Sequence, residues 1–256
     1  MQDLTVTLVQ ADLLWENIEG NHQRIEQLLS NTGQTDLVVL PETFATGFTM
    51  NTHISETMDG ASITWMRRMA KEKDSVITGS LIIKENGNVF NRLIWMRPDG
   101  SHEQYDKRHR FGLGGEQESF TAGKGRVIVE LKGWRICPII CYDLRFPVWC
   151  RNQNDYDTLL VVANWPEKRS YAWKQLLIAR AIENQAYVVA ANRVGNDGIG
   201  ISCVGDSRII DPMGEILFMN KGQQIVHTAL LSASYLQETR SKLPFLNDRD
   251  SFEIQL

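Results

Sequence analysis

The sequence predicts an α/β fold of mixed sheets with helices outside them. Three observations predict it. Short apolar segments alternate with segments of helical periodicity in βαβαβ order, and helical crossovers imply parallel neighbours. Turn signals at Asn86-Gly87, Lys132-Gly133 and 211–214 mark hairpins, which imply antiparallel neighbours. Neither a Pro/Ser-rich linker nor a repeat of fixed period divides the 256 residues, so one domain over 1–256 is expected, with an irregular tail from about 241.

Residues 5–10 are the first strand. Residues 17–29 repeat Ile18, Ile25, Leu28 and Leu29 at helical spacing and predict an amphipathic helix. Residues 36–41 predict a short apolar strand buried on both faces, stopped by Pro41 and followed at once by Glu42. A helix is predicted over 61–73, a strand over 75–81, and a hairpin from 81–84 and 89–95. A turn at 98–100 precedes the basic cluster 105–110, generically a solvated turn or an anion site. Residues 112–125 hold Gly112, Gly114, Gly115, Gly123 and Gly125, at a spacing foreign to a P-loop or dinucleotide fingerprint. They predict a mobile loop that lines or covers a site. Residues 126–131 and 134–140 form a hairpin that delivers Cys141. A short helix follows, with Asp143 near its start and Pro147 in its first turn. Residues 157–163 predict another buried strand, and Ser170 a cap on a helix over 171–184. A strand at 186–192, a hairpin of 201–210 with 215–218, a last strand at 224–230 and a helix at 231–240 complete the chain.

Composition narrows the function. With 43% hydrophobic and 23% charged residues the chain is ordinary for a globular protein. A net charge of −4 without a long basic run argues against nucleic acid as a partner. No apolar stretch approaches the roughly 20 residues that cross a bilayer, so no membrane is expected. The N-terminus lacks a signal-peptide pattern and four cysteines do not make a disulfide scaffold, so a reduced, cytoplasmic compartment is expected. Without a Cys-x-x-Cys pair or a His-Glu-x-x-His motif, no metal is expected, and no cofactor.

Glu42, Lys107 and Cys141 each follow a predicted strand, so each could sit at the same end of a sheet. Attack on an acyl carbon needs a thiol nucleophile, a base that takes and returns its proton, and a positive or N–H-rich site for the oxyanion. Cys, Glu and Lys supply all three. The five histidines are scattered, and none is placed as partner to a cysteine. Cys137 and Cys141 lie four apart on one predicted strand, hence on one face, with packing the expected role of Cys137.

Leu40-Pro-Glu42, Tyr105-Asp-Lys107 and residues 140–146 resemble, in order, the three catalytic blocks of the nitrilase superfamily of carbon–nitrogen hydrolases. Residues 179–184 resemble a helix of that family. The form Cys-Tyr-Asp-Leu-Arg-Phe-Pro resembles the amidase branch and, within it, bacterial omega-amidases. The resemblance implies a four-layer α/β/β/α sandwich of two mixed sheets, a homodimer, and hydrolysis of ω-amides of 2-oxo acids, such as 2-oxoglutaramate and 2-oxosuccinamate, by Cys141. It implies Glu42 as the base, Lys107 and the Tyr142 N–H as oxyanion donors, and a further glutamate, best matched by Glu116 with Glu118 close by. Arg145, near the nucleophile, is the candidate for the substrate carboxylate, against a salt bridge to Asp143; Lys168 and Arg169 are alternatives. Phe44, Phe48 and Trp165 are candidate pocket walls. A nitrilase, an N-carbamoyl amidohydrolase or an aliphatic amidase would share the catalytic residues. An idle binding protein, or a redox protein using Cys137 and Cys141, are readings from other classes.

Overall fold

Three apolar segments of the first third, β1 (Leu4–Gln10), β2 (Leu37–Val39) and β3 (Val76–Glu85), lie parallel in one sheet of the computed structural model, which describes residues 1–255. Helices α1 (Ile18–Leu29) and α2 (Ala61–Lys73) make the crossovers. The Asn17 side chain caps α1 by accepting from the Gly20 N–H at 2.9 Å. β4 (Asn88–Met96) returns antiparallel to β3 through the Asn86-Gly87 turn, and β5 (His102–Asp106) extends the edge. The first sheet has the order β13-β1-β2-β3-β4-β5, in which β13 is the late strand Ile225–Leu231.

After the short helix α3 (Glu116–Ser119), the second sheet begins with the hairpin of β6 (Val129–Leu131) and β7 (Trp134–Ile140). The short helix α4 (Pro147–Cys150), β8 (Thr158–Ala163), α5 (Ser170–Asn184), β9 (Tyr187–Asn192), β10 (Val194–Asn196), β11 (Ser202–Ile210) and β12 (Ile216–Lys221) follow. Its order is β10-β11-β9-β8-β7-β6, with β12 on β11. Finally β13 (Ile225–Leu231) pairs antiparallel with β1, and α6 (Ala233–Lys242) ends the regular structure apart from a 3-10 turn at Phe245–Asp248.

Alternation along the strands of the first sheet separates two cores. Val9, Val38, Ile77 and Ile94 face α1 and α2, with Ile25, Leu29, Ile63 and Met66. Leu8, Val39, Val76 and Trp95 face the second sheet. The second sheet is apolar on both faces and buries its other side under Trp173 and Leu177 of α5 and Leu236 of α6. The fold is therefore two mixed sheets face to face with helices outside, the expected four layers.

The differences from expectation are local. Val76–Glu85 forms one strand rather than two, because Val76–Ile83 is buried throughout. β5 and β10 are unpredicted strands. β5 is polar because it is an edge, held where Arg92 Nε meets Asp106 Oδ1 at 2.7 Å. Ser170 does not cap α5; its hydroxyl donates to Asp206 Oδ2 at 2.7 Å. The helix after Cys141 is two pieces, a 3-10 turn over Cys141–Arg145 and then α4, with Pro147 at its first position.

Candidate active site

Four strand ends converge here. Glu42 follows β2 and Lys107 follows β5 in the first sheet, while Cys141 follows β7 and Asn164 follows β8 in the second. The chain turns sharply at two of them. Thr43 has φ +43° and Cys141 φ +45°. Such left-handed values cost a residue with a Cβ about 1–2 kcal/mol. At Cys141 the strained elbow presents the thiol beyond the end of the sheet.

Asp143 fixes that elbow. Its buried Oδ2 accepts from the Tyr105 hydroxyl (2.7 Å) and the Ile140 N–H (3.1 Å). Its Oδ1 accepts from the His109 N–H at 2.8 Å and lies 2.8 Å from His109 Nδ1. One carboxylate ties the nucleophile's turn to residues on both sides of Lys107. Asp143 makes no ion pair with Arg145 among the described residues, so that alternative for Arg145 lapses.

Lys107 lies buried between two fully buried carboxylates, with Nζ 2.8 Å from Glu42 Oε1 and 2.9 Å from Glu116 Oε2. Asn91 Nδ2 donates to Glu42 Oε1 at 2.9 Å and to Glu116 Oε1 at 3.3 Å. The Asn164 N–H donates to Glu42 Oε2 at 2.8 Å, and the Phe111 N–H to Glu116 Oε2 at 2.6 Å. Burial alone would push the Lys107 ammonium down, but Glu116 and Glu42 more than offset it and raise its pKa above the usual lysine value. Burial raises Glu116, with Lys107 opposing. Burial, reinforced by the Glu42 carboxylate and opposed by Lys107, pushes the Cys141 thiol well up. At neutral pH it is a thiol in need of a base.

The basic cluster is therefore not a solvated turn, since its lysine is the buried centre of the site. Nor is the 112–125 loop free of anchors. Glu116 holds it from within, and the Gly123 N–H bonds to the Lys107 carbonyl at 2.9 Å. A Cβ on Gly123 would come 2.0 Å from the Asp106 carbonyl oxygen, so only glycine permits that approach. Glu118 is exposed, and Glu116 is the one that the structure brings to Lys107.

Glu42, Lys107, Cys141 and Asn164 border a cavity of about 530 Å³. Phe48, Tyr142, Arg145, Trp165 and Arg169 line it. The Lys107 ammonium lies 5.1 Å from the Phe48 ring centre, and the Arg145 guanidinium 4.8 Å from that of Trp165. Two expected residues lie elsewhere. Phe44 is buried against Trp65, 5.6 Å between ring centres, and Lys168 is exposed away from the cavity walls. Cys137 is buried, its thiol pushed up to about 11 by burial. β7 ends before Cys141, so the two thiols do not share a strand face. All four cysteines are free. A thiol, a carboxylate cluster and a buried ammonium at one cavity end are the parts of an acyl-transfer site.

A family model described as carbon-nitrogen hydrolase matches residues 5–241. The chain belongs to the carbon-nitrogen hydrolase family. This carbon-nitrogen hydrolase is 44% identical over 255 residues to the omega-amidase YafV of Escherichia coli strain K12, covering 99% of this chain and 100% of that one. It is 32% identical over 251 residues to the 2-oxoglutaramate amidase of Bacillus subtilis strain 168, covering 95% and 96%. Its fold matches, with a TM-score of 0.98 and 46% identity over the whole of both chains, a CN-hydrolase superfamily protein from Xanthomonas campestris with an arsenic adduct in its active site.

Sequence reasoning about the carbon-nitrogen hydrolase site missed Asn91, Asn164 and the Tyr105–Asp143 tie. Asn91 had one signal, a lone amide inside the apolar run 89–95. Asn164 had the position just beyond a buried strand, shared with Glu42 and Cys141. Nothing local pairs Tyr105 with Asp143, 38 positions apart.

Proposed function

We propose that this carbon-nitrogen hydrolase is an omega-amidase, a hydrolase of the terminal amide of 2-oxo acid amides such as 2-oxoglutaramate and 2-oxosuccinamate. The observation that carries the reading is the 44% identity, over essentially the whole chain, to omega-amidase YafV. The site geometry supports the chemistry.

Glu42 accepts the thiol proton as Cys141 Sγ attacks the amide carbon. The Lys107 ammonium and the Tyr142 N–H hold the oxyanion. As the tetrahedral adduct collapses, Glu42 returns the proton to the departing nitrogen, ammonia leaves, and a thioester remains. Glu42 then takes a proton from water, which attacks the thioester. The second adduct expels the sulfur, which regains a proton, and the acid departs. Glu116 orients Lys107 at 2.9 Å. Arg145 grips the substrate carboxylate, with Phe48 and Trp165 as walls. A single domain, a homodimer and a cytoplasmic location complete the reading. Among the described residues, no helix is long and apolar enough to cross a membrane.

The test is ammonia release from 2-oxoglutaramate, with glutamine and a simple nitrile as controls. Release from the 2-oxo amide alone is expected; release from the nitrile alone would replace the reading with a nitrilase. Arg145→Ala is expected to raise KM for 2-oxo acid amides by about 10- to 100-fold, the worth of a charge-assisted hydrogen bond, and KM for neutral amides far less. Equal changes for both would remove Arg145 as the clamp.

A further inference from the structure

Arg145 and Arg169 both border the cavity, and neither guanidinium makes a hydrogen bond or ion pair among the described residues. The third arginine on the cavity wall, Arg193, is committed to the Val194 carbonyl, as Arg92 is to Asp106 and Arg135 to Asp157 elsewhere. The two uncommitted cations each lie against a held aromatic ring. Arg145 Cζ is 4.8 Å from the Trp165 ring centre, and Arg169 Cζ is 4.9 Å from that of Phe111. Trp165 is buried, and its Nε1 donates to the Arg169 carbonyl at 2.9 Å. Phe111 packs edge-on against Tyr142, 5.1 Å between centres. Trp165 therefore supports one guanidinium and pins the backbone of the other. Stacking on a ring leaves the in-plane N–H donors free for a ligand.

Two such forks offer more donors than one carboxylate accepts. A 2-oxo acid presents a further acceptor, its keto oxygen, on the carbon next to the carboxylate. Glutamine and asparagine carry an ammonium on that carbon instead. We propose that Arg169 reads this substituent: it donates to the keto oxygen while Arg145 holds the carboxylate, and its charge repels the ammonium of the 2-amino acid amides. The proposal rests on the omega-amidase reading. The acid on the same wall, Asp197, accepts from the N–H groups of Ile199 and Ile201 and makes no ion pair with Arg169 among the described residues.

The test measures kcat and KM for 2-oxoglutaramate, for glutaramate (the same acid amide with a methylene in place of the keto group) and for glutamine. Wild type, Arg169→Ala and Arg169→Lys are compared. Arg169→Ala is expected to lower kcat/KM for 2-oxoglutaramate by about 10- to 100-fold and that for glutaramate by less than about 3-fold. Glutamine turnover is expected to hold or rise, and Arg169→Lys to recover part of the loss. A merely structural role would lower all substrates together, and that result, or no loss on 2-oxoglutaramate, overturns the proposal alone. A wild type that hydrolyses none of the three overturns the omega-amidase reading and the proposal with it.

Discussion

Replacing Cys141 with alanine is expected to reduce ammonia release from 2-oxoglutaramate to background, a loss of at least about 10⁴-fold, with the fold intact. No neighbouring group can substitute for the sulfur. Cys137 is buried beside Arg126, and Cys203, which borders the cavity, makes no hydrogen bond to a carboxylate among the described residues that could take its proton. The substitution should be nearly silent structurally. Alanine has the same Cβ at φ +45°, so the strain of the elbow is unchanged. Cys141 is only partly buried, so losing one sulfur costs about 1 kcal/mol or less. Ammonia release and a thermal melt on the same preparation check both halves. Full turnover by the folded variant would end the assignment of Cys141 as nucleophile.

Lys107→Met is expected to damage both turnover and stability, by separable routes. Loss of one oxyanion donor lowers kcat by about 10²- to 10³-fold. Loss of the ammonium leaves Glu42 and Glu116 buried without their counter-charge, which costs about 3–5 kcal/mol. Glu116, already raised by burial, rises further without Lys107 and binds a proton in the folded state that the unfolded chain has released. A carboxyl raised on folding loses stability as pH rises from its unfolded to its folded pKa. The melting deficit of Lys107→Met should therefore widen as the pH rises above the ordinary glutamate range. Adding Glu116→Gln should restore much of the melting temperature but not the turnover. A near-normal rate in Lys107→Met would remove it from the oxyanion site; a pH-independent deficit would contradict the carboxylate account.

Mixed sheets with helices outside were legible because burial on both faces writes apolar runs such as 158–163, and hairpins write Asn-Gly and Lys-Gly turns; the four layers came from the family resemblance. β5 was not legible, because an edge strand has one solvated side and reads as a polar turn. At the site, Glu42 and Cys141 stood out as polar residues placed directly after apolar strands. Lys107 was harder: its setting among Arg108, His109 and Arg110 suggests solvent, and only the distant carboxylates explain its burial. Arg145 and Asp143 look like an ion pair in sequence, but Asp143 is held by Tyr105, Ile140 and His109 instead. Contacts across tens of residues decide such questions, and local pattern does not record them.

The two sheets divide the site between them. The Asn164 N–H that holds Glu42 comes from 122 positions along the chain, and β1 gains its outer neighbour only when residues 225–231 arrive. A chain emerging from the ribosome exposes Glu42 long before its partners exist. Its first cysteine is residue 137 of 256, so for more than half of its synthesis it carries no thiol at all. The site is complete only where both sheets meet, so a slippage of one over the other would part Glu42 from Asn164 and Cys141 while leaving the ladders within each sheet in place.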